Sequence, residues 1–183
     1  MSLDKNQKRP YSIESYNSEW ILKFKKIKEN LKRIFQDKAL VIEHVGSTSI
    51  LGMKAKPLID VLVMVEKMES FTDIKREMAK LGYEYDENYI APNSSLFYKV
   101  GPDGQKVENI HVCERASYKI SEFLDQRDFL RSHSEWRKRY SDLKEKLYKK
   151  FPDNYPAYRE GKSKLLDELG DVAKKWKASE MST

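Results

Sequence analysis

Glu43-His44-Val45-Gly46-Ser47-Thr48-Ser49, followed after a short gap by Lys56-Pro57-Leu58-Ile59-Asp60-Val61-Leu62-Val63-Met64-Val65, decides how this chain is read. The first stretch is a strand end running into a small-residue turn. Gly46 lets the backbone reverse tightly, so Ser47 and Ser49 can present hydroxyls and amides at the start of a short helix. The second stretch predicts a strand over Leu58 to Val65, apolar on both faces as a central, doubly covered strand must be. One ionisable residue, Asp60, interrupts it. A buried carboxylate costs several kcal/mol unless it is paired, hydrogen-bonded or bound to a cation. Asp60 is therefore either tied to backbone amides or Lys56 at the strand end, or part of a site. Side chains alternate along a strand, so Leu62 shares its face with Asp60.

Outward from this core, residues 1 to about 16 read as a polar arm. Trp20, Phe24, Ile27, Leu31 and Ile34 recur at helical spacing and predict an amphipathic helix from Ser18 to near Asp37. Ala39 to Val45 is the first strand. Phe71, Ile74, Met78 and Leu81 mark a second helix, with Gly82 where it would stop. Two more strands, about Leu96–Val100 and Val107–Glu114, flank Gly101-Pro102-Asp103-Gly104, a hairpin turn by its chemistry. In the last strand Ile110 and Val112 take one face, and Asn109, His111 and Cys113 the other. Beyond it the pattern is helical: Phe123 to Arg131, then Trp136, Tyr140, Leu143 and Leu147, then Leu165, Leu169, Val172 and Trp176. Pro152 and Pro156 break the run, and Ser179 to Thr183 are expected to fray. The order is that of an α+β domain: an arm over 1–16, then one domain over 17–178, with a sheet core at about 39–114 and a helical part at about 118–178.

A chain of 183 residues with 39% hydrophobic side chains can bury one ordinary core. The net charge of +6 is uneven: residues 1–50 carry ten basic and six acidic groups, 51–110 eight and ten, and 111–183 seventeen and thirteen. The excess lies in the flanking helices, which suits nucleotides, RNA or phosphorylated partners, and equally suits plain solvated helix faces. Cys113 is the single cysteine, which excludes an internal disulfide and a cysteine-based zinc cluster, fits a reducing cytosol, and reads as a small core filler. No apolar run approaches the length of a membrane span and the N-terminus is not signal-like, so the expectation is a cytoplasmic protein without a membrane partner.

A Gly-Ser turn followed by a strand Asp resembles the nucleotidyltransferase superfamily. The fuller wording is narrower: Ile42 through Ser49 with Gly52, Lys56-Pro57 and Ile59-Asp60, then Asn109-Ile110-His111-Val112, Arg127-Asp128-Phe129-Leu130-Arg131, Tyr140-Ser141-Asp142-Leu143-Lys144, and Tyr158 with Lys162. It resembles the GrpB family, a branch of that superfamily, over nearly the whole chain. The resemblance implies a nucleotidyltransferase-like mixed sheet flanked by helices with a helical C-terminal portion. It further implies that Gly46, Ser47 and Ser49 hold phosphate, that Asp60 is a metal carboxylate for Mg²⁺, and that a nucleotidyl group is transferred to an acceptor.

Two positions depart from that pattern. Leu62 stands where a second carboxylate would point the same way as Asp60, and His111 where a third is expected. One carboxylate and one imidazole form a softer donor set than Mg²⁺ prefers. Two readings follow. In one, Asp60 and His111 are catalytic, and Lys56, Arg127, Lys144 and Lys162 supply positive charge to a nucleotide or other phosphorylated ligand. In the other, the chain is a non-catalytic module for an anion, nucleotide or RNA that has lost the metal carboxylates. Lys144 lies four residues after Tyr140 and Lys162 four after Tyr158, so each pair shares a helical face able to line an anion cleft opposite the sheet. Arg127 and Asp128 suit a structural ion-pair network as well, and His44 at its strand end suits either a cleft or a structural role.

Overall fold

The computed structural model describes residues 10–68, 71–87 and 91–182. Its first helix, α1 (Glu19–Phe35), buries Trp20, Ile27, Leu31 and Phe35 along one stripe. Strand β1 (Ala39–Val45) leads through Gly46 into a 3-10 turn, Ser47–Ser49, and then to β2 (Ile59–Val65). Helix α2 (Thr72–Lys80) ends before Gly82, whose φ of +83° supplies the left-handed stop. Strands β3 (Glu84–Glu87), β4 (Ser94–Val100) and β5 (Lys106–Glu114) follow, then α3 (Tyr118–Ser132), α4 (Ser134–Lys150), α5 (Tyr155–Glu160) and α6 (Ser163–Glu180).

The strands form one mixed sheet in the order β1-β2-β5-β4-β3. Only β2 and β5 run parallel; the other neighbours are antiparallel. The β2 alternation sorts the chemistry. Ile59, Val61, Val63 and Val65 join Ile110, Val112 and the α1 stripe in the largest core, while Leu62 packs with Val45, Cys113 and the α3 residues Ile120, Phe123 and Leu124 on the opposite face. A helical core built on Phe129, Leu130, Tyr140, Leu165 and Leu169 joins α3, α4 and α6 and takes in Ile50 and Met53 from beyond the turn. Asp60 therefore emerges on the face that looks toward the C-terminal helices. Among the described residues no helix is long and apolar enough to cross a membrane.

Some elements differ from expectation. β3 and α5 were not foreseen, and α6 reaches Glu180, into the segment expected to fray. Of the expected arm, residues 1–9 lie outside the described residues. Residues 10–16 are packed: Tyr11 is buried with Leu147, Tyr155 and Tyr158 and donates a hydrogen bond to the Phe151 carbonyl, and Glu14 pairs with Ala55.

Candidate functional site

The parallel register sets Asp60 beside Asn109 and Leu62 beside His111. Asn109 Nδ2 donates to Asp60 Oδ1 at 3.0 Å, and His111 Nε2 lies 3.1 Å from the same oxygen. The other oxygen, Oδ2, faces the turn: a Cβ built on Gly46 would sit 2.8 Å from it. Gly46 has φ +68°, so the turn needs glycine both for its backbone and for this approach. Burial pushes the Asp60 carboxyl up, but the hydrogen bonds from His111 and Asn109 and the charges on His111 and Lys56 outweigh it and hold Asp60 below its usual value. Its side chain remains 23% exposed and lines a cavity, so the carboxylate is not sealed in a closed pair.

That cavity, about 460 Å³, lies between the sheet and the C-terminal helices. Gly46, Ser47, Lys56, Asp60, His111, Lys144 and Lys162 all line it, as do Thr48, Asn109, Tyr140, Tyr155, Tyr158 and Arg159. Lys56 Nζ donates to the Tyr155 hydroxyl at 2.7 Å, and Lys144 Nζ donates to Ser47 Oγ at 3.0 Å. Lys144 and Lys162 lie over the rings of Tyr140 and Tyr158, at 4.4 and 4.6 Å from their centroids, so the Tyr-Lys spacing reports real neighbours even though α5 ends before Lys162. Burial, then the Lys56 charge, lowers Lys162 to about 8. Burial, then the charges of Lys162 and Lys56, drives Lys144 well below the usual amine value.

Two expected ligand residues are elsewhere. Arg127 donates to Glu43 at 2.8 Å, to Asp128 at 2.7 Å and to the His44 carbonyl, fastening α3 to β1 behind the cleft. The reason is pairing: two carboxylates reach it from that side, and its charge is spent there. Ser49 turns its hydroxyl back to the Gly46 carbonyl at 2.7 Å, serving the turn itself. The metal reading also meets an obstacle. Leu62 is 0% exposed in its apolar cluster, Asp60 Oδ1 already takes two donors, and the described residues contain no group of three His, Cys, Asp or Glu able to hold an ion. The donor set does not fit a resident Mg²⁺ centre.

His44 is structural. Thr48 Oγ1 donates to the Leu58 carbonyl at 3.1 Å, so the 3.0 Å contact between His44 Nε2 and Thr48 Oγ1 has the imidazole as donor, and its ring stacks on Phe24. Burial, aided by Arg131 and Arg127 and opposed by Asp60, lowers it to about 4 from 6.5. The unfolded chain thus binds a proton between these values that the folded one refuses, so stability falls as pH drops from 6.5 toward 4. Urea melts at pH 7 and 4.5 are expected to show this loss, and His44→Gln to flatten it.

A family model described as GrpB protein matches residues 10–171. The chain belongs to the GrpB family. It is similar to the UPF0157 protein YqkA of Bacillus subtilis (strain 168), 36% identical over 171 residues, covering 93% of this chain and 49% of YqkA, so it spans about half that relative's length. It is also similar to glutamate-rich protein GrpB of Alkalihalophilus pseudofirmus, 28% identical over 86% of this chain and 92% of the relative. The crystal structure of conserved protein GrpB from Enterococcus faecalis superimposes with a TM-score of 0.84 at 29% identity, over 90% of this chain and 99% of that one. The GrpB site holds residues that the sequence reading did not single out: Thr48, Lys106, Lys119, Tyr155 and Arg159. Arg159 adjoins the Tyr158 of the motif, which was a usable signal; Tyr155 meets Lys56 across 99 residues and offered none.

Proposed function

We propose that this cleft binds the phosphate of a nucleotide or another phosphorylated small molecule, and that it does so without a metal ion. The observation that carries this is the imbalance of charge in one cavity: Lys56, Lys106, Lys119, Arg159 and Lys162 against Asp60 and Glu122, with the buried Lys144 amine beside them. Lys119 and Glu122 pair with each other at 2.7 Å, so the excess rests on Lys56, Arg159 and Lys162. Burial first, and then the neighbouring positive charges, depress Lys144 and Lys162, and a phosphate dianion between Lys56, Lys162 and Arg159 offsets the second of these. Tyr158 lines the cavity, and its buried hydroxyl has no hydrogen-bond partner among the described residues. Asp60, ionised in the same cavity, repels phosphate and accepts a hydrogen bond from a ligand hydroxyl. Nucleotidyl transfer through paired metal ions finds less support, because Leu62 removes the second carboxylate.

Calorimetric titration with ATP, ADP and pyrophosphate tests the reading. Saturable binding is expected in EDTA, unchanged by Mg²⁺, and about 10-fold or more weaker in Lys56→Met/Lys162→Met, the loss of one charge-assisted contact being worth about 1.5–3 kcal/mol. Phosphate raises Lys162 from about 8, so binding takes up a proton there and affinity falls as pH climbs above 8. Binding that requires Mg²⁺, or that ignores the double substitution, refutes the proposal. Affinity for RNA that drops steeply with salt while nucleotides fail to bind would favour the RNA module instead.

A further inference from the structure

Ser47 does more than open a turn. Its residue lines the cavity, and two side chains of α4, one helical turn apart, converge on its hydroxyl: Lys144 Nζ at 3.0 Å and the Tyr140 hydroxyl, within hydrogen-bonding reach. Lys144 is 2% exposed, and no carboxylate among the described residues pairs with it. As a mere tie between α4 and the turn this is poor design, since a buried ammonium with only a neutral hydroxyl and a ring for company costs more than a methionine in the same space. As a base it is apt.

We propose that Ser47, Lys144 and Tyr140 form a serine–lysine acyl-transfer centre, acting on an ester whose alcohol portion carries a phosphate. The phosphate end of this substrate rests on the reading given above; the acyl chemistry at Ser47 does not. Burial, then the Lys162 and Lys56 charges, favours the free amine of Lys144, and Tyr155 and Asp60 are the other titratable groups facing this corner. With Nζ neutral, the Ser47 proton can pass to it instead of to Tyr140. As Oγ bonds the acyl carbon, Nζ takes that proton. The tetrahedral adduct then breaks its carbon–oxygen bond to the alcohol, which leaves with the proton returned by Lys144. Water next gives a proton to Nζ and its oxygen to the acyl carbon, and Oγ departs and is reprotonated. The products are an alcohol and a carboxylic acid, with water the only co-reactant. Burial keeps Tyr140 a phenol, so it can donate to Oγ once the serine proton has moved.

The test is covalent labelling of the full chain with p-nitrophenyl acetate and with a fluorophosphonate, located by peptide mass spectrometry. One adduct at Ser47 is expected, absent in Ser47→Ala, formed about 100-fold or more slowly in Lys144→Met, and faster in the wild type as pH rises. Lys144→Met should melt at or above the wild-type temperature, and Tyr140→Phe should slow labelling and shift its pH profile. Pyrophosphate should protect Ser47, with protection lost in Lys56→Met. No Ser47 adduct, or equal rates with and without Lys144, overturns the acyl-transfer centre; the pH profile of the wild type decides the matter should the variant not fold. Labelling without protection by pyrophosphate sinks only the phosphate end.

Discussion

Leu62→Asp is expected to cost about 3–5 kcal/mol of folding stability and to gain no affinity for Mg²⁺. The substitution would restore, on paper, the pair of carboxylates that a metal-dependent nucleotidyl transfer needs. In the structure Leu62 is 0% exposed and packed among Val45, Cys113 and Phe123, with His111 beside it on β5. A carboxylate there loses the contacts of the leucine and enters an apolar cluster beside His111, which already serves Asp60, so it either protonates or unfolds its surroundings. Urea unfolding measures the loss, and calorimetry with Mg²⁺ the absence of binding. A stable variant that binds Mg²⁺ would show that the site had lost its metal through one residue alone.

Gly46→Ala is expected to cost about 2–4 kcal/mol and to abolish ligand binding. A backbone at φ +68° and ψ −175° is essentially reserved for glycine and costs an alanine about 2 kcal/mol. The new Cβ would also stand 2.8 Å from Asp60 Oδ2 and 3.1 Å from Asp60 Cβ, displacing the carboxylate from Asn109 and His111, about 1–2 kcal/mol more. Gly52 is the control: its φ is +77°, yet a Cβ there meets nothing within 4 Å. Gly52→Ala should therefore pay the backbone cost alone and leave binding intact. Equal effects at the two glycines would mean that contact between Gly46 and Asp60 contributes nothing.

Much of the fold was legible because its elements announce themselves locally. The α1 stripe, the apolar β2 and the Gly-Pro-Asp-Gly turn each satisfy their own geometry before any tertiary contact forms. Strand β3 did not, since Glu84-Tyr85-Asp86-Glu87 is an edge strand paired only with β4 and carries charge as edges do. Helix α5 is six residues long with a proline in its first turn, which reads equally as a break. At the site, Asp60 and Gly46 were visible because a carboxylate in an apolar strand and a glycine before serine are local anomalies. Partnerships were not: Ser47 meets Lys144 across 97 residues. Arg127 misled for the same reason, since a basic helix residue looks alike in sequence whether it faces the cleft or, as here, Glu43.

The pairing of Ser47 with Lys144 and of Lys56 with Tyr155 also bears on synthesis. A ribosome delivers all five strands before Tyr140, Lys144, Tyr158 or Lys162 has left its exit tunnel. A nascent or truncated chain ending near α3 thus carries Asp60 and the turn with no wall opposite them. Translation has to pass Lys162 before the molecule acquires a chamber, and so a half-made copy cannot compete for whatever the finished one holds.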